Sequence, residues 1–161
     1  MGVALDRLLA ASADELERLY RGARAPSLDN LRGDLRGRML DNVLFGGPIA
    51  EGLRRFASTE LFPWRGKSFA PVDRDHGEGI NRIFSDRLRR FTFSTFIGRS
   101  RAGDFDAVQL DYDRSDNPWV IRQVKDEIRE LEPGLYLGQA YFAFPRERLV
   151  LYFGLASKEV R

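Results

Sequence analysis

Cysteine is absent from this chain and histidine occurs once, at His76. Thiol nucleophiles, disulfide frameworks and cysteine-based zinc sites are therefore excluded by inventory. The chain does not need them to fold, because one domain of 161 residues buries roughly two thirds of the surface its unfolded form exposes. Long hydrophobic runs are missing too: no stretch of about eighteen uncharged apolar residues occurs, so no membrane-spanning helix is expected. The N-terminal Met1-Gly-Val-Ala-Leu-Asp-Arg-Leu-Leu meets Asp14, Glu15 and Glu17 before any cleavage pattern, and Asp6 stands where a myristoylation motif requires Ser or Thr. The expectation is a cytoplasmic protein. Repeats, low-complexity tracts and linkers are lacking as well, which points to a single domain over 1–161. Residues 1–60 read as mostly helical and 61–157 as a β-rich body.

Catalytic signatures are equally scarce. Gly66-Lys67-Ser68 has the last letters of a phosphate loop, but the upstream glycine which that motif needs at position 61 is Leu61. Asp73, Asp75, His76 and Glu78 form the densest set of metal-type ligands, yet without a second histidine or a matching pair they read as a solvated turn. No metal and no cofactor are expected. The net charge of +2 conceals an asymmetry: nine bases face four acids between Arg65 and Arg101, and nine acids face four bases between Asp104 and Glu132. That acidic half would repel phosphate. It argues against a nucleic-acid face built from Arg87, Arg89, Arg90 and Arg99 interleaved with Phe91, Phe93 and Phe96.

What the sequence does contain is alternation. Asp106 to Tyr112, Leu135 to Ala143 and Leu149 to Leu155 place every second side chain on one broad, apolar and partly phenolic face, as strands of a curved sheet do. Trp64 to Phe69, Ile80 to Phe84 and Arg90 to Ile97 extend the pattern, and Gly98 to Gly103 turns the last of these into a hairpin with Asp106 to Tyr112. Upstream, Leu5, Leu8, Leu9, Leu16 and Leu19 with Tyr20 recur at helical spacing, and Ser12-Ala-Asp-Glu15 reads as a capping box that either starts a second helix or interrupts one. A first strand is expected over Arg36 to Leu44 and a third helix from Pro48 to Ser58. Residues 116–131 are ambiguous. Val120, Ile121, Val124, Ile128 and Leu131 have helical spacing, which favours a helix over the first half. The second half reads equally as a strand with Asp126, Ile128 and Glu130 on one face and Glu127, Arg129 and Leu131 on the other.

The fold expected from these elements is mainly β with N-terminal helices, an antiparallel barrel or strongly curved sheet of about seven or eight strands. Such a sheet encloses space. Trp64, Phe69, Phe93, Tyr112, Tyr136 and Tyr141 are candidate walls of a ligand cavity, and Asn81, Arg122 and Glu127 candidate polar anchors. Asp111 and Glu127 are candidate catalytic carboxylates, since a carboxylate in a dry interior has the shifted pKa that proton transfer needs.

Trp64-Arg-Gly-Lys-Ser-Phe69, the Leu110-Asp-Tyr112 strand, Asp126-Glu-Ile-Arg129 and Pro133-Gly-Leu-Tyr-Leu-Gly138 together resemble uncharacterised bacterial proteins of the lipocalin-related, calycin-like β-barrel type. Leu31-Arg-Gly33-Asp-Leu-Arg-Gly37 and Trp64-x-Gly-Lys-x-Phe69 are also similar to domains named for a GxWxG motif, with Leu35 where that tryptophan belongs. The calycin resemblance spans about residues 30 to 155 and implies a pocket for a small apolar molecule. The first functional expectation is therefore non-enzymatic binding of a small hydrophobic ligand. The alternatives are a small-molecule cyclase or isomerase using Asp111, Glu127 or a tyrosine hydroxyl, and a protein or nucleic-acid interaction module.

Overall fold

The computed structural model describes residues 3–42 and 64–160. Eight strands formed by these residues close into an antiparallel barrel in which each strand pairs with its neighbours in sequence and the last returns to the first. They are β1 (Gly33–Asn42), β2 (Trp64–Pro71), β3 (His76–Ile83), β4 (Arg89–Arg99), β5 (Asp106–Asp111), β6 (Val124–Glu132), β7 (Leu135–Phe142) and β8 (Arg148–Ala156). The third helix expected from Pro48 to Ser58 falls outside the described residues, as do the last two positions expected for the first strand. Among the described residues no helix is long and apolar enough to cross a membrane.

Alternation sorts the side chains into two cores. Inside the barrel, Leu35, Phe69, Phe93, Val108, Leu110, Ile128, Tyr136, Phe153 and Leu155 form one continuous cluster. Two of its rings owe their position to glycine: Gly79 is the register partner of Phe93 and Gly138 of Phe153. A Cβ at either glycine would stand within 2.4 Å of the ring it faces, so only a bare backbone lets these aromatics lie against the wall.

Outside the barrel, helices α1 (Val3–Leu9) and α2 (Ala13–Gly22) cover β1 and β6 to β8. The capping box forms as its spacing predicts. Glu15 N–H donates to Ser12 Oγ at 3.2 Å and Ser12 N–H to Glu15 Oε2 at 3.1 Å, so this sequence starts the second helix instead of interrupting one. Leu16 and Tyr20 are fully buried against the wall, worth roughly 1.5–3 kcal/mol each. At the other end of α2, the Arg129 guanidinium donates to the carbonyls of Tyr20 and Arg21 at 2.6 and 3.1 Å. A cation there satisfies orphan carbonyls and the negative end of the helix dipole together. The chain then crosses one end of the barrel, where Leu28 and Leu31 plug the interior.

The ambiguous segment divides in two. Helix persists for a single turn, Trp119–Arg122, and β6 begins at Val124. Strand pairing on both sides, with β5 and with β7, outweighs a helical spacing that four residues cannot exploit.

Candidate functional site

Four of the five register shifts among the described strands gather at the end of the barrel opposite Leu28 and Leu31, the fifth falling between Glu130 and Glu132 in β6. The four occur at Met39 in β1, between Trp64 and Gly66 in β2, opposite Phe91 in β4, and at Ala140 and Tyr141 in β7. Each adds a residue to one strand, bends it and re-aims its side chains. In β2 the consequence is direct. Trp64 and Lys67 are three apart and would point to opposite faces of a regular strand, yet both line the same cavity. Gly66, at φ 135°, supplies the backbone conformation that a side chain would resist. Phe91 sits at φ 63°, a strained conformation for an aromatic residue, and its carbonyl accepts from Asn81 Nδ2 at 3.2 Å.

The cavity these bulges open has a volume of about 310 Å³. Its walls are mostly apolar: Met39, Trp64, Ile83, Phe91, Val124 and Phe142 among others, with Ile121 from the Trp119–Arg122 turn. At the same end of the barrel Trp119 and Phe144 pack edge to face, ring centroids 5.2 Å apart, and both remain more than half exposed.

Four polar side chains, each from a different part of the barrel wall, meet in this apolar space. Lys67 Nζ donates to Asn81 Oδ1 at 2.9 Å and to the Tyr112 hydroxyl at 2.5 Å, and pairs with Asp126 Oδ2 at 3.0 Å. Asn81 Nδ2 donates to the Tyr112 hydroxyl at 3.0 Å, Trp64 Nε1 to Asn81 Oδ1 at 3.0 Å, and Tyr112 to Asp126 Oδ2 at 3.1 Å. Lys67 is 3% exposed and Asp126 4%, so this is an ion pair inside a barrel. Burial pushes the Lys67 ammonium below its usual pKa, and Asp126 beside it pulls the other way. The rings of Trp64, Phe93, Tyr112 and Phe153 all lie 5.2–5.5 Å from Nζ, supplying cation–π attraction in place of part of the lost hydration. Asp126 Oδ1 is buried and has no hydrogen-bond partner among the described residues.

No protein-family model matches this chain, and no curated protein matches it. One solved structure does match. It is the crystal structure of a protein from Thermomonospora curvata, 20% identical, with 96% of each chain covered and a TM-score of 0.56. At that identity the likeness establishes the fold and nothing finer.

The residues singled out from sequence are distributed over four places. Trp64, Asn81 and Tyr112 converge on the cavity, and Tyr141 reaches its wall while its hydroxyl is tied to Gln139 Oε1 at 2.8 Å. Phe93 lies under Lys67 and Phe69 packs edge to face behind it at 5.4 Å, so both belong to the packed interior below the cavity. Tyr136 points to the plugged end, its hydroxyl 3.4 Å from the Asn30 carbonyl. The other three stand outside. Arg122 pairs with exposed Asp113 at 2.7 Å, and Asp111 with Lys125 at 2.6 Å. Although partial burial would raise Asp111, hydrogen bonds from Lys125 and the Asp113 amide hold its carboxyl below the usual value. Glu127 is fully buried, but under α2, where it accepts from Tyr20. Sequence reasoning missed Lys67 and Asp126 as cavity residues. The cluster at Asp73 and His76 is an exposed β2–β3 turn in which Asp73 Oδ1 accepts the amides of Asp75 and His76, both at 2.8 Å.

The buried phenols predict an alkaline limit to stability. Burial first, then the Glu127 or Asp126 charge, raises Tyr20 and Tyr112 above the ordinary tyrosine value. In the unfolded chain these groups lose their protons near pH 10, whereas in the fold they keep them. Stability is therefore full below about pH 10 and falls above it, by about 1.4 kcal/mol per pH unit for each such tyrosine. Lys67 acts in the opposite sense only below lysine's ordinary value of about 10.4. Thermal melts from about pH 8 to pH 11.5, with tyrosinate absorbance followed in parallel, check this. Full tyrosine ionisation before any loss of stability would refute it.

Proposed function

We propose that this barrel binds a small, mainly apolar molecule in the cavity at its bulged end and performs no chemistry on it. The observation that carries the reading is a cavity whose apolar walls surround one compact polar cluster, the arrangement by which binding sites take up an apolar body and fix its orientation at one point. Calycin-type barrels, which this chain resembles in sequence, mostly do the same. At about 30 Å³ for each non-hydrogen atom, the volume of water in the liquid, 310 Å³ admits a ligand of roughly ten such atoms.

A cyclase or isomerase remains the second reading on one observation, the contact between Tyr112 and Asp126 in the cavity. Its weakness is chemical. Tyr112 is held well above its ordinary pKa by burial and by the Asp126 charge, which makes it a reluctant acid, and the carboxylates Asp111 and Glu127 lie elsewhere.

Native mass spectrometry of freshly purified protein, followed by solvent extraction, is expected to recover a co-purified small apolar molecule. Titration with neutral apolar fluorophores is expected to show saturable binding that Trp64→Ala weakens. Empty protein and no saturable binding would overturn the proposal.

A further inference from the structure

We infer that the ligand is anchored through a neutral hydrogen-bond donor, a hydroxyl or an amide N–H, placed on Asp126 Oδ1. The inference rests on the binding reading above and narrows it to a chemical class.

The argument is one of satisfied and unsatisfied groups. A lysine carries three donor hydrogens, a primary amide two, an indole one and a phenol one. In the cavity the three of Lys67 reach Asn81, Tyr112 and Asp126. The two of Asn81 reach the Phe91 carbonyl and Tyr112, while Trp64 Nε1 is taken by Asn81 and the Tyr112 hydrogen by Asp126. Every donor of the cluster is thus committed, and the acceptor left over among the described residues is Asp126 Oδ1, unpartnered and closed off from solvent, so a ligand in the cavity that Asp126 lines reaches it as the side chains around it give way. An orphaned buried acceptor is costly, more so on a charged group. A ligand that brings its own donor removes that cost on binding.

This reverses the simplest expectation for a buried lysine, that it receives a carboxylate. An acid would find the Lys67 hydrogens already held and the Asp126 carboxylate close by with like charge. An amine would satisfy Oδ1 but place a second ammonium close to Lys67 Nζ in a poorly screened interior, where like charges repel strongly. An ether or hydrocarbon fills the volume and leaves Oδ1 bare. A neutral donor meets the requirement without a charge conflict.

The test is a series on one tail, titrated calorimetrically into the unmodified protein: 1-nonanol, its methyl ether, nonanoic acid and nonylamine. Nonanol is expected to bind tightest, with the ether on the order of tenfold or more weaker for want of a single hydrogen. An ether or acid that binds as well as the alcohol overturns the donor assignment and leaves the binding reading standing, and so does a water held permanently at Oδ1, which would give that same levelled series. No binding by any of the four, with neutral apolar fluorophores also excluded, overturns the binding reading and this inference with it. In Asp126→Asn the alcohol's advantage over the ether is expected to shrink. If that variant does not fold, the series on the unmodified protein decides the matter alone.

Discussion

Replacing Asp126 with alanine is expected to destabilise the fold by about 3–5 kcal/mol at pH 7. The loss comes from the partner left behind. Lys67 Nζ keeps its bonds to Asn81 and Tyr112 but loses the only opposite charge within 4 Å among the described residues. The folded protein then either holds an uncompensated ammonium or surrenders the proton. Surrender sets the ceiling: neutralising a lysine of ordinary pKa about 10.4 at pH 7 costs about 1.36 kcal/mol for each unit of difference, hence roughly 4–5 kcal/mol. The sign with pH follows. With Lys67 neutral in the fold and protonated in the unfolded chain, the unfolded state binds the extra proton, so the variant regains stability as pH rises towards 10. Urea unfolding at pH 7 and at pH 9 measures both. A loss below about 1 kcal/mol would show that the pair is not charged in the fold, whereas a full loss indifferent to pH would show that Lys67 keeps its proton in the variant. The double variant Lys67→Met with Asp126→Leu is expected to recover most of the loss, because it removes both charges and keeps the volume.

The barrel was legible in the sequence, whereas the polar cluster inside it was only half legible. Strands such as Asp106 to Tyr112 and Leu149 to Leu155 announce themselves because one face of each is apolar and the period is two. The segment from Val124 to Glu132 gives no such sign: its inner set, Val124, Asp126, Ile128 and Glu130, is as mixed as its outer set, Lys125, Glu127, Arg129 and Leu131. Neighbouring carboxylates therefore fall on opposite sides of one wall. Pairing fixes their parity, since Ile128 stands opposite Val108 and Asp126 opposite Leu110, and both of those partners face inwards. Lys67 was concealed by the bulge, which brings it to the face of Trp64 against simple alternation. The available signal was Gly66, an isolated glycine within a strand pattern. Tyr112 was found as a phenol on an apolar strand face and Asn81 as a polar anchor for the space such a sheet encloses.

The complementary prediction concerns Glu127, the carboxylate on the far side of the same wall. Glu127→Ala is expected to cost about 3–5 kcal/mol, because its loss leaves several buried donors unmatched at about 1–3 kcal/mol each. Tyr20 donates to Oε1 at 2.7 Å and Ser100 to the same atom, while the Arg101 amide and Gln109 Nε2 reach Oε2 at 3.1 and 3.3 Å. These bonds join α2, the β4–β5 turn and β5 to β6, so the damage has an address. Hydrogen exchange in Ala13–Gly22 is expected to quicken at denaturant concentrations where the barrel strands are still protected. In Glu127→Gln the shape survives and one acceptor oxygen is kept, so about half the stability should return. Binding of apolar fluorophores to Glu127→Gln is expected to match the unmodified protein, whereas Asp126→Asn alters it. The residue directly preceding Glu127 faces the cavity, and Glu127 itself faces the helix. A Glu127→Gln protein that folded but lost cavity binding would place this carboxylate in the site after all and return it to the role its sequence position first suggested.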